Sequence, residues 1–200
     1  MPAPTALITA GSSLSEAAIA LLLPFTRVDL ALLEMARIRP ASANWLRAPW
    51  YRPHRGGGAI TIGRTIFFNR NWFATHGHGA HGDGSVRNTW RWILHLAHEA
   101  GHLPQAHRHG HHWVGKTAYV ARFAGQYLWG ALTLRQRLHD DAPLEREADR
   151  GRWVLARVVG DTPLTHPLVA ALHAGNAAGV KNWCRDNADR IEAAHQAYPY

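Results

Sequence analysis

The segment HLAHEAGHLPQAHRHGHH, residues 95–112, carries seven histidines and one glutamate in eighteen positions. Imidazoles bind transition metals and a carboxylate beside a bound metal can move protons, so spacing decides what this tract can do. His98 and His102 are four residues apart. On an α-helix they share a face, and both rings can be aimed at one ion. Glu99 is turned about 100° from His98, beside such an ion rather than among its ligands. There it can take a proton from a metal-activated water and later pass it to a leaving amine. With fifteen His and six Glu in 200 residues, random placement would give His-Glu-x-x-His about 0.03 times per chain. The pattern is therefore informative even in a His-rich sequence.

Its surroundings add to it. Ile93, Leu96, Ala97 and Ala100 give the predicted helix apolar positions to bury, and Glu99 is the only carboxylate between Asp83 and Asp140. A catalytic zinc held by two imidazoles needs one more protein ligand while keeping a position for water. The segment PLEREADR, residues 143–150, can supply it. Glu145 and Asp149 are four apart on a predicted helix, so Glu145 can ligate while Asp149 accepts a hydrogen bond from the far nitrogen of a ligand imidazole. Ion pairs with neighbouring arginines are the alternative for both, and Glu147, on another face, is the weaker candidate. His95, one turn before His98, reads as a supporting histidine rather than an extra ligand. His107, His109, His111 and His112 read as solvated side chains beyond the helix.

HEAGH followed by EREAD resembles the zincin metallopeptidases of the gluzincin type, whose pattern is HExxH and a downstream ExxAD or ExxxD. The longer match AITIGRTIFF, LAHEAGH and EREAD, residues 59 to about 155, is similar to the compact metallopeptidase domains associated with bacterial contractile injection systems. The resemblance implies a zincin-like fold and one zinc per chain held by His98, His102 and Glu145. It also implies Glu99 as general base and Asp149 as the partner of a ligand imidazole. It implies a peptide or protein substrate, and a secretion or injection assembly as a partner. The sequence departs from the pattern at Pro104, close behind the second histidine. For the residue that stabilises the oxyanion, His166, Tyr119 and Tyr127 are the candidates.

The elements that must position these residues follow from periodicity and turn chemistry. Residues 14–38 read as two helices broken at Pro24, and the Pro-, Arg- and Gly-rich stretch 39–58 as a connector. AITIGRTIFF, residues 59–68, reads as a hairpin turning at Gly63-Arg64 in type II′ geometry. The Gly- and His-rich residues 75–88 read as a mobile loop, a lid or a second metal site. A helix is predicted from about Asn88, ending or kinking at Pro104, and a second over about 116–138. A third starts with Asp140-Asp141 as cap and Pro143 in its first turn and runs to Gly160. The rest reads as two short helices. The fold class expected is α+β, mostly helical, with residues 1–58 an extension and 59–200 the metallopeptidase domain.

Composition limits the remaining classes. Hydrophobic residues make up 46% and nine are Trp, which argues for a folded chain. The single cysteine, Cys184, excludes an internal disulfide and a thiolate zinc site. No uninterrupted apolar run reaches membrane-spanning length and none follows a basic leader, so a cytoplasmic protein, or one exported without a conventional signal peptide, is expected. The formal charge of +8 is spread over several elements, which argues against a nucleic-acid partner. The function expected is zinc-dependent peptide hydrolysis, with a non-catalytic, zinc-stabilised component of a larger assembly as the alternative.

Overall fold

The computed structural model describes residues 7–40, 59–68, 85–132 and 142–200. Among them the protein is mostly helical with one small mixed sheet, an α+β arrangement. The helices are α1 (Glu16–Thr26), α2 (Leu30–Met35), α3 (Val86–Arg108), α4 (Trp113–Leu132), α5 (Pro143–Val159), α6 (Pro167–His173), α7 (Ala177–Asp186) and α8 (Ala188–Gln196). The strands are β1 (Arg37–Pro40), β2 (Ala59–Ile62) and β3 (Thr65–Phe68).

β2 and β3 form the expected hairpin, with Ala59 opposite Phe68 and Ile62 opposite Thr65. At its tip Gly63 has φ 62° whereas Arg64 is not in the left-handed region. That pattern fits a type II′ turn rather than type I′. β1 was not foreseen. It lies parallel to β3, Arg37 beside Thr65 and Pro40 beside Phe68, so β3 is central in the order β1-β3-β2.

Three expectations about helices are corrected. Pro24 lies inside α1, which ends two residues later, and the break falls at Arg27 with φ 56°. Pro104 likewise lies inside α3, which does not end there but continues to Arg108. Proline costs the helix one hydrogen bond, but Leu103, Gln105 and Ala106 around it are all buried, and that packing outweighs the loss. The C-terminal part holds three short helices rather than two, because the chain turns again at Asn187 between α7 and α8. α5 begins with Pro143 in its first turn, yet its N-cap is Ala142 without a side-chain cap; Asp140, Asp141 and the expected end of α4 at 138 lie outside the described residues. So does most of the Gly- and His-rich loop.

α3 and α5 make the largest helix–helix interface, β2 packs on α3, and α1 packs across α3, α5 and α7. One apolar core runs through the whole, from Leu7, Ile8, Leu21 and Phe25 through Ile38, Ile66 and Trp92 to Val154, Leu172 and Ile191. Residues on both sides of position 58 thus share a core. No helix among the described residues is long and apolar enough to cross a membrane.

Candidate metal centre

The site lies where α3 and α5 approach most closely. A side chain on Gly101, between Glu99 and His102, would put its Cβ 2.4 Å from the Ala148 carbonyl oxygen and 2.6 Å from the Ala148 Cα. Only glycine permits that approach. One turn further along α5, a Cβ at Gly151 would meet Thr26 Cγ2 of α1 at 2.6 Å. α5 thus packs closely on both α3 and α1, and its first turns carry Glu145 and Asp149 toward the face of α3 that bears His98 and His102.

There the predicted ligands meet. Glu145 Oε2 lies 3.2 Å from His98 Nε2 and 3.5 Å from His102 Nε2. The three ligand atoms fall within 4.8 Å of one another, and all three residues are buried. Two metal–ligand bonds of about 2.0–2.2 Å at a tetrahedral angle hold their donor atoms about 3.4 Å apart. The two spacings from Glu145 Oε2 match. A buried His-His-Glu group of this kind can hold a metal ion.

Hydrogen bonds fix which nitrogens face inward. His98 Nδ1 lies 3.1 Å from Asp149 Oδ1, and a carboxylate only accepts, so Nδ1–H donates and Nε2 presents its lone pair. Asp149 also pairs with Arg152, so the helical ion pair and the imidazole contact coexist. His102 has a partner that sequence reasoning missed. Gln105 Nε2 donates to the Leu144 carbonyl at 2.9 Å and to Glu147 Oε2 at 3.1 Å. These acceptors fix the amide orientation, leaving Gln105 Oε1 to accept from His102 Nδ1 at 2.9 Å. Position 105, one helical turn after the second ligand, was the available signal.

With both rings neutral, two imidazole lone pairs and a carboxylate oxygen therefore converge. Such an arrangement calls for a cation or a proton. Burial works against the charged form of His98, but hydrogen bonds to Asp149 and Glu145 and the charge of Glu99 outweigh it and push the imidazole up to about 9. The Asp149 carboxyl is opposed by its burial yet held below its ordinary value by His98 and Arg152.

Glu99 is 6% exposed, and the Thr61 hydroxyl from β2 lies 2.8 Å from its Oε2. Thr61 was not anticipated; nothing local in AITI marks it. On the other side α4 covers His102, whose ring meets Phe123 edge-on at 5.2 Å. Tyr119, one turn earlier on α4, is 2% exposed. Burial first, and then the nearby Glu99, Glu145 and Glu147, hold its phenol well above the ordinary range, so it remains a hydroxyl donor.

The other candidates stand elsewhere. His166 caps α6, its Nδ1 accepting from the Leu168 N–H, and meets Trp183 edge-on at 5.2 Å; none of these contacts belongs to the site. Tyr127 falls on α4, and its side chain lies outside the described residues. His95 is half-buried on α3 and is not one of the three converging residues. Glu147 is exposed and pairs with Arg108. His107 sits on the last turn of α3 rather than beyond it, 3.1 Å from His111. His109 caps α3 with its Nδ1 donating to the Gln105 carbonyl, and His112 Nδ1 accepts from the Gly115 N–H. Comparisons with family models, curated proteins and solved structures return no match.

Proposed function

We propose that this chain is a zinc-dependent endopeptidase of the zincin type, with His98, His102 and Glu145 as ligands. The observation that carries the reading is the convergence of three ligand atoms within 4.8 Å of one another beside a buried glutamate that is not one of them. The donor set, two imidazoles and one carboxylate, suits zinc and matches that of catalytic rather than structural sites. Bound there, zinc supplies Lewis acidity, which polarises a scissile carbonyl and makes water acidic near neutral pH.

The chain's own residues do the rest. Asp149 and Gln105 hold the two imidazoles in the tautomer that turns Nε2 inward. Glu99 accepts the proton of the attacking water and returns it to the departing amine. The Tyr119 hydroxyl, kept protonated, donates to the oxygen that gains charge at the attacked carbon. Burial of the four central residues, between 5% and 8% exposed, keeps bulk water from competing for these contacts.

That same burial favours one other reading, a structural zinc within a component of a larger assembly. One experiment separates them. Protein loaded with one zinc per chain is incubated with a library of quenched fluorescent peptides, beside Glu99→Gln. Peptidase function predicts cleavage that falls by about 10²–10⁴-fold in Glu99→Gln while zinc content is unchanged. Zinc uptake without cleavage of any peptide would leave the structural reading.

A further inference from the structure

Thr61 is where the sheet meets the site. It sits in β2 with Ala59, Ile60 and Ile62, pairs with Ile66 across the hairpin, and is 2% exposed. A hydroxyl that deep in an apolar strand persists when it is hydrogen-bonded. Its oxygen lies 2.8 Å from Glu99 Oε2 and 3.0 Å from the Glu99 main-chain oxygen. Both partners accept, so the hydroxyl is the donor, its single proton shared between them with the carboxylate the nearer acceptor. One atom thus touches the two ends of a single residue, which ties the carboxylate to its own backbone. The β-branched threonine has little χ1 freedom with which to move away, and the hairpin register holds its Cα.

We propose that Thr61 is the positioning residue for Glu99: its hydroxyl holds the carboxylate in the one orientation from which it can serve as the base. The inference rests on the metallopeptidase reading, in which Glu99 must stand ready without being a ligand. Glutamate has three side-chain torsions, and a displaced base costs rate steeply, about 10²-fold for an error near 1 Å. No other element needs to contact Glu99 for this, because the strand packed on α3 delivers the hydroxyl directly.

The test compares Thr61→Val, which keeps the shape and removes the hydroxyl, with Thr61→Ser, which keeps the hydroxyl. Both are loaded with cobalt(II), whose visible bands respond to the groups hydrogen-bonded around its open position. Thr61→Val is expected to bind one cobalt per chain with bands displaced toward those of cobalt-loaded Glu99→Ala, and Thr61→Ser to give the wild-type spectrum. On the peptide library, kcat falls about 10–100-fold in Thr61→Val with KM unchanged, and Thr61→Ser restores it. A wild-type spectrum in cobalt-loaded Thr61→Val overturns the proposal, whatever the activity. Loss of cobalt in Thr61→Val with retention in Thr61→Ser also overturns it, since the hydroxyl would then serve the fold. Wild-type protein that takes up cobalt but cleaves no peptide sinks the peptidase reading, while the spectra still decide whether Thr61 holds Glu99. Failure of the wild type to bind cobalt removes both.

Discussion

A metal entering this site must displace a proton. His98 is pushed up to about 9 by its hydrogen bonds to Asp149 and Glu145, so at pH 7 the metal-free ring is about 99% protonated. Apparent zinc affinity is then about 100-fold below its high-pH limit, equivalent to about 3 kcal/mol. It should rise about tenfold per pH unit up to pH 9 and flatten above. Calorimetric titration in two buffers of different ionisation enthalpy checks this directly: close to one proton released per zinc from this residue at pH 7, none above pH 10. The metal-free protein should behave in the opposite sense. A histidine whose folded-state value is raised from about 6.5 to about 9 stabilises the fold fully below pH 6.5, and that stability is lost as pH rises through 9. In EDTA the melting temperature should fall over that window, by an amount equivalent to at most about 3–4 kcal/mol. A zinc affinity independent of pH between 7 and 9 would refute the argument that three acceptors face one another across this site.

Three further outcomes follow from particular contacts. Gly101→Ala forces a Cβ into the Ala148 carbonyl, and should destabilise the protein by about 1–3 kcal/mol or more and lower zinc content on dialysis. Gln105→Ala removes the acceptor that orients His102 and should weaken zinc binding about 10–100-fold, read by chelator competition, with His98→Ala as the fully defective control. Ile38→Ala, in β1, should cost about 2–5 kcal/mol in urea unfolding. Because residues 7–40 share the core with the metal helices, that variant should still unfold in one transition followed equally by tryptophan fluorescence and zinc release; two separated transitions would show that the N-terminal part is an independent unit.

What could be read from the sequence was what local spacing controls. His98 and His102 share a face by helical geometry alone, the hairpin follows from an apolar run cut by Gly63-Arg64, and Glu145 and Asp149 repeat the four-residue spacing of the ligands. What could not be read depends on distant packing. The residues flanking Pro104 are buried beside α5, which carries α3 past a residue that would end an isolated helix. RIRP has no strand pattern of its own and becomes β1 only because β3 offers it an edge. Thr61 looks like any strand threonine until β2 is laid on α3. Gln105 was within reach, one turn from His102, but a neutral amide does not advertise itself as the partner of a ligand.

The clamp of α1 against the C-terminal helices sets the size of the working unit. Arg27 pairs with Glu192, Lys181 with Glu16, and His195 Nε2 donates to the Pro24 carbonyl, while Gly151 of α5 lies against Thr26 of α1. The helix that delivers Glu145 is therefore held by residues that come both before and after the motif-bearing stretch. A fragment trimmed to residues 59–155 would keep every ligand and lose the walls that press the two metal helices together. By the same token, removal of residues 7–40 would take away a strand of the sheet and a wall of the core.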